Sequence, residues 1–257
     1  MWMTGRTQPL APRPVAECLE ILAAIGFSGV EICLENPDLQ PSGLTAEKAA
    51  AIRTRLSDLG LSRNSASYHR DYIYDDAVLA DTVKAVSLAP AFGAEIFVFS
   101  GTVARPDDRR PWERMLERTL ELVAAAETGN VTLAIEFEPN FIVGSTADLH
   151  RLFEAIPSPR LRANLDLGHV FLCDPEPIKA IESLAGKVSH GHLENMRRGV
   201  HRHLPLHEGD MDIPAYLETL SATGFDGPLA LDLYDGDYRE LAVAALRFLR
   251  DSQVAFN

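Results

Sequence analysis

The chain is poor in cysteine, in long apolar runs and in positive charge, and each shortage removes a class of function. Its three cysteines, Cys18, Cys33 and Cys173, are scattered without CxxC spacing. This argues against a disulfide framework or a thiolate metal site and for buried free thiols. No stretch of about 20 apolar residues is present to span a bilayer. The opening Met1-Trp-Met-Thr-Gly-Arg-Thr7 lacks the basic region and apolar run of a signal peptide, so the expectation is a cytoplasmic protein that does not engage a membrane. The 24 basic residues stand against 37 acidic ones, a formal charge of −13, which repels a phosphodiester backbone. Nucleic acid is therefore not an expected partner.

What is present suits one compact enzyme-sized unit. The 257 residues, 46% apolar and 24% charged, match the usual length of one eightfold βα barrel. Helix-like stretches that end in glycine lead repeatedly into short apolar runs. Residues 16–25 with Gly26 precede a strand at 29–33, residues 46–59 with Gly60 precede 61–65, and residues 82–92 with Gly93 precede 95–100. The second half continues with helices at 112–128 (closed by Gly129), 146–156, 177–185, 213–223 and 237–251, and strands at 131–136, 161–166, 187–190 and 228–232. Glycine just past a helix supplies the left-handed residue that closes it. With a first strand in residues 1–7, the pattern predicts an α/β fold, a single (β/α)8 TIM barrel spanning residues 1–257. A doubly wound sheet is the alternative, but the glycine-rich phosphate turn after its first strand is missing.

Four strands in the second half end on a metal-capable side chain: Leu133-Ala-Ile-Glu136, Ala163-Asn-Leu-Asp166, Val188-Ser-His-Gly-His192 and Leu229-Ala-Leu-Asp232. The gaps between them each accommodate a helix and its loops, so the four fall at the carboxyl ends of successive parallel strands, where barrel enzymes keep their chemistry. Strand parity places Glu136 with Ala134 and Thr132, Asp166 with Asn164 and Arg162, and Asp232 with Ala230 on the inner face, leaving leucine and isoleucine outward. On the seventh strand His190 and His192 share a face, but Ser189 and Gly191 opposite them offer no apolar support. Two Asp, one Glu and one His suit Mn²⁺, Mg²⁺ or Co²⁺, with Zn²⁺ as a further candidate. Five of the eight histidines, His190, His192, His201, His203 and His207, fall in one polar, glycine-containing stretch that reads as a strand end plus a long active-site loop. Glu138 and His169 lie just past the strands on the rim, as does His69 after the third strand. Each is placed to bind a polyol or to orient a ligand.

At these residues the chain resembles the xylose-isomerase-like TIM barrel superfamily, the sugar phosphate isomerase/epimerase group. The resemblance is carried by the order and spacing of Gly26-Phe-Ser-Gly-Val-Glu-Ile32, Leu133-Ala-Ile-Glu-Phe-Glu-Pro139, Asn164-Leu-Asp-Leu-Gly-His169, His190-Gly-His192, Glu208-Gly-Asp210 and Gly224-Phe-Asp-Gly-Pro-Leu-Ala-Leu-Asp232. It implies one divalent ion held by Glu136, Asp166, His192 and Asp232, with His169 and Arg198 touching substrate. It also implies an acid/base pair formed by the first and last carboxylates, Glu136 and Asp232. In ketose 3-epimerases of this group both members of that pair are glutamates. The aspartate at 232 is one methylene shorter, which withdraws its carboxylate from a carbon that proton transfer must reach within about 3 Å.

The expected activity is isomerisation or epimerisation of a small sugar or other polyhydroxylated carbonyl compound by proton abstraction next to the carbonyl. Three alternatives stand beside it. One is a lyase on the same site, acting on a keto-inositol, a dehydroshikimate-like acid or a 3-keto glycoside. The others are endonuclease-type phosphodiester hydrolysis, which the charge disfavours, and a non-catalytic sugar sensor, which four intact ligands disfavour. A homo-oligomer is expected for a barrel of this class.

Overall fold

The computed structural model describes residues 1–252. Seven parallel strands run in chain order, β1 (Trp2–Arg6), β2 (Val30–Cys33), β3 (Asn64–Ser67), β4 (Ala94–Ser100), β5 (Thr132–Glu136), β6 (Leu161–Asp166) and β7 (Val188–Leu193). An antiparallel hairpin follows, β8 (Asn195–Arg197) and β9 (Val200–Leu204), and then β10 (Pro228–Leu231), which pairs with both β7 and β1 and closes an eight-strand barrel. Closure rules out the doubly wound alternative.

The helices alternate with the strands: α1 (Val15–Ile25), α2 (Ala46–Asp58), α3 (Asp76–Phe92), α4 (Pro111–Gly129), α5 (Thr146–Ala155), α6 (Leu167–Cys173), α7 (Pro177–Ser183), α8 (Ile213–Ala222) and α9 (Tyr238–Asp251). The longer helices each bury one stripe, whereas the short α6 is buried throughout Leu167–Phe171. In α4 the buried positions are Met115, Thr119, Leu122, Val123 and Ala126, the spacing of a single helical face. Thr45, Asp75, Ser145, Asp212 and Asp237 cap their helices through side-chain oxygens. Among the described residues no helix is long and apolar enough to cross a membrane, and Cys18, Cys33 and Cys173 are free thiols.

Several elements depart from the sequence reading, for local reasons. The third strand lies at 64–67 rather than 61–65, because residues 61–63 still descend from the helix end, with Leu61 N–H on Leu56 O. Helix α3 starts at Asp76, because Asp75 accepts from Ala77 and Val78 N–H and so nucleates it a turn and a half early. Gly129 belongs to α4, and Asn130 takes the left-handed closing conformation at φ 55°. The polar histidine stretch, read as loop, contains the β8–β9 hairpin.

Strand parity holds around the sites of interest. Leu133, Ile135, Leu165, Leu229 and Leu231 are buried in the helix-facing layer, while Thr4, Arg6, Glu31, Ser65, Glu136, Asn164, Asp166, His190 and His192 are buried as well. The missing apolar support on β7 has a steric cause. A Cβ at Gly191 would meet Leu229 Cδ1 at 2.8 Å, so the leucine of the adjacent strand already fills that space.

Candidate active site

Four side chains converge at the carboxyl end of the barrel. Glu136 ends β5, Asp166 ends β6, His192 lies one residue from the end of β7 and Asp232 follows β10 directly. His192 Nδ1 lies 3.1 Å from Glu136 Oε2, 3.8 Å from Asp166 Oδ2 and 3.8 Å from Asp232 Oδ2. All four residues are buried.

A polar ladder inside the barrel fixes the first of them. Ser65 Oγ lies 3.0 Å from His190 Nε2, His190 Nδ1–H donates to Asn164 Oδ1 at 2.8 Å, and Asn164 Nδ2 donates to Glu136 Oε2 at 2.8 Å. A carbonyl oxygen can only accept, which sets the His190 tautomer and leaves Nε2 to accept from the serine. Burial pushes the His190 pKa down to about 3, and with both ring nitrogens engaged by Ser65 and Asn164 this neutral imidazole serves as a strut.

Two charged residues not singled out from the sequence hold His192 and Asp232. His192 Nε2–H donates to Glu31 Oε2 at 2.9 Å, which turns Nδ1 toward the three carboxylates. Arg6 donates from Nε to Glu31 Oε1 at 3.0 Å and from Nη1 to Asp232 Oδ1. Burial alone would raise the Asp232 pKa, but Arg6 and His203 outweigh it and keep the group well below the carboxylate range. Glu31 lies within the Gly26–Ile32 piece that carries the family resemblance, whereas Arg6 ends the short first strand with no motif around it.

The chemistry of this donor set fits a divalent cation. Glu136, Asp166 and His192 each offer a ligand atom within 4.8 Å of the others, and so, as a second overlapping set, do Asp166, Glu194, His203 and Asp232. Asp166 Oδ2 and Glu194 Oε2 are buried and without a hydrogen-bond partner, which is costly for a carboxylate oxygen unless a cation satisfies it. Burial disfavours a charged His192, yet Glu136 and Glu31 raise its pKa well above the usual imidazole value. The pocket thus attracts positive charge at that Nδ1. Burial and the neighbouring Asp166 push Glu194 in the opposite direction, well up.

Above these groups lies a cavity of about 160 Å³ lined by Arg6, Gln8, His69, Glu136, Glu138, His169, His201, His203, Asp232 and Tyr234. His69 Nε2 is buried without a partner, and its Nδ1 is 3.9 Å from Glu136 Oε2. Burial and the Glu136 charge raise the Glu138 pKa. His169 Nδ1–H donates to Phe137 O at 2.8 Å and its Nε2 meets His201 Nε2 at 2.9 Å. His203 Nδ1–H donates to Asp232 O at 3.0 Å. Asn195 bonds Leu206 O and the Met211 N–H and so staples the loop beneath the hairpin that carries both histidines.

Arg198, expected at the substrate, is not part of this lining. Its N–H donates to Asp210 Oδ2 at 2.9 Å and its guanidinium stacks 4.2 Å from the Phe171 ring centroid. It occupies the hairpin turn beside Gly199 at φ 73°, and the strand that leaves the turn presents His201 and His203 to the cavity instead.

Comparison with known proteins finds relatives of the same fold. The chain is 24% identical to the L-ribulose-5-phosphate 3-epimerase UlaE of Escherichia coli over 241 residues, 86% of this chain and 84% of that one. Its fold matches a solved L-ribulose 3-epimerase with a TM-score of 0.81 at 19% identity, over 98% of this chain and 94% of the other. It also matches a xylose isomerase-like TIM barrel protein from Mycobacterium smegmatis, solved in complex with magnesium, with a TM-score of 0.81 at 20% identity over 98% and 96% of the two chains. The sequence model of the xylose isomerase-like TIM barrel family matches residues 19–252, and the chain belongs to that family.

Proposed function

We propose that the protein is an isomerase or epimerase that binds one divalent ion and a small sugar or other polyhydroxylated carbonyl compound, and that it removes a proton from the carbon next to the carbonyl. The observation that supports this most is the convergence of Glu136, Asp166 and His192 around a buried, unpartnered Asp166 oxygen. Glu136, Asp166, His192 and Asp232 would hold the ion, and oxygen-rich donors with one imidazole favour Mn²⁺, Mg²⁺ or Co²⁺. When bound, the ion supplies Lewis-acid polarisation of the carbonyl and hydroxyl oxygens and offsets enediolate charge.

The chain's own groups account for the rest. Glu136 lines the cavity with its carboxylate fixed by Asn164 and is the proton acceptor. Burial would raise its pKa, but His192, with His69 and His169, outweighs this and holds it below the usual glutamate value, so it is ionised. Glu138, His69 and His169 meet the cavity around it and would orient substrate hydroxyls. In epimerisation Asp232 would return a proton on the other face. A specific contact favours a second reading: Arg6 occupies Asp232 Oδ1, which leaves Glu136 as a single base and suits a lyase that eliminates a leaving group from the adjacent carbon.

The test is a titration of Mn²⁺ into chelator-treated protein, followed by deuterium exchange from D₂O into L-ribulose and D-allulose. One equivalent bound, and lost in Glu136→Gln and His192→Ala, with ion-dependent exchange at the carbon next to the carbonyl, is the expected result. A native chain that binds no ion refutes the reading.

A further inference from the structure

The contacts around Arg6 form a continuous chain through half of the proposed ion site. Arg6 is 2% exposed at the end of β1. One edge of its guanidinium holds Asp232 and the other holds Glu31, Nε to Oε1 at 3.0 Å, while the second oxygen of Glu31 takes the His192 Nε2–H at 2.9 Å. His192 Nδ1 then lies 3.8 Å from Asp232 Oδ2, where the circuit Asp232, Arg6, Glu31, His192 returns to its start. Asp232 directly follows β10, and Arg6, Glu31 and His192 lie on β1, β2 and β7, strands that neighbour one another on one side of the barrel. Nη1, which holds Asp232, also donates to Tyr234 Oη at 3.1 Å, and Nη2 donates to Gln8 Oε1 at 3.3 Å, so Arg6 is committed to this framework and has little capacity left for substrate.

Resting on the ion-dependent reading above, we infer that Arg6 is a positioning residue of the ion site: one guanidinium presets two ligands from different strands, Asp232 directly and the His192 Nδ1 lone pair through Glu31. The planar fork of arginine is what makes this achievable. It reaches two carboxylates at fixed angles, whereas a lysine ammonium keeps the charge but presents a single point that cannot hold both. The arrangement also explains how an aspartate serves at position 232. Its shorter side chain is drawn toward β1 by Arg6 and presents Oδ2, rather than both oxygens, to the centre.

Arg6→Lys isolates orientation from charge, and Glu31→Gln preserves shape but leaves one acceptor oxygen, so it cannot serve Arg6 and His192 together and the link between them is cut. Mn²⁺ binding to the chelator-treated native chain, both single variants and the double variant would be measured by calorimetry, beside the thermal midpoint of each metal-free protein. Removing supports of this kind weakens metal affinity by about 10- to 100-fold. Each single variant is expected to lose affinity in that range with a metal-free midpoint near the native one, and the double variant to lose less than the product of the two factors, because they act through one chain. Native affinity in Arg6→Lys overturns the inference, as does a double variant that simply multiplies the single effects. If Arg6→Lys does not fold, native affinity in Glu31→Gln overturns it alone. A native chain that binds no Mn²⁺ refutes the ion-dependent function itself, and this inference with it.

Discussion

Asp166 Oδ1 accepts the His169 backbone N–H at 2.7 Å, so the carboxylate that caps α6 is the same one that turns its other oxygen, buried and unpartnered, toward the ion site. The two roles separate by mutation. Asp166→Asn keeps an N-cap oxygen and removes the negative charge crowded against Glu194, so the metal-free protein should be at least as stable as native while Mn²⁺ binding falls at least tenfold. Asp166→Ala loses the cap too and should cost about 1 kcal/mol of unfolding free energy. Urea titration of both metal-free variants checks this, and equal stability for the two would show that the cap contributes nothing.

Acid should destabilise the protein partly through His190. Its folded pKa is depressed from 6.5 to about 3 by burial, so between those values the unfolded chain binds a proton that the folded chain does not. Stability from this group is present above about pH 6.5 and declines as pH falls, by roughly 1.4 kcal/mol per unit. Between pH 6.5 and 5 the urea midpoint of the metal-free native protein should fall more steeply, or rise less, than that of His190→Gln; Glu138 and Glu194, whose raised pKa values act with the opposite sign, are present in both. His150 and His201, whose pKa values are also lowered chiefly by burial, contribute with the same sign and remain in the variant. Parallel curves for the two proteins would refute the assignment.

Tyr72 and Thr119 join the loop after β3 to α4 by a buried hydroxyl pair at 2.8 Å, in the helix layer and away from the cavity. Tyr72→Phe removes one buried hydrogen bond and should cost about 1 kcal/mol by urea unfolding. Mn²⁺ affinity is expected to stay native, and a changed affinity would mean that the helix layer communicates with the site.

Gly29 enters β2 where a Cβ would lie 1.8 Å from the Arg63 carbonyl oxygen. That clash is with backbone and cannot be relieved by a rotamer change, so Gly29→Ala should lose about 3 kcal/mol, the upper end of overpacking costs. At Gly43 nothing lies within 4 Å of an added Cβ, and Gly43→Ala should leave the urea midpoint within experimental scatter. A similar midpoint for both would show that the β2–β3 contact yields more easily than its geometry implies.

By itself the sequence determined the alternation of strands and helices, the strand-end positions of Glu136, Asp166, His192 and Asp232, and the inward parity of the residues beside them. Those features follow from periodicity and local closing signals, which act over a few residues. Capping shifted individual boundaries, as at Asp75 and Asn130, because one side-chain bond or one left-handed residue decides a helix end. Tertiary structure alone decided what holds the four residues in place. The Arg6–Asp232 pair joins residues 226 positions apart and the Glu31–His192 pair joins residues 161 apart, and only closure of the barrel brings β1 and β2 beside β10 and β7. The β8–β9 hairpin, a sheet separate from the barrel, decided between His203 and Arg198: both are polar residues of one stretch, and its docking put the histidine in the cavity lining and the arginine against Phe171.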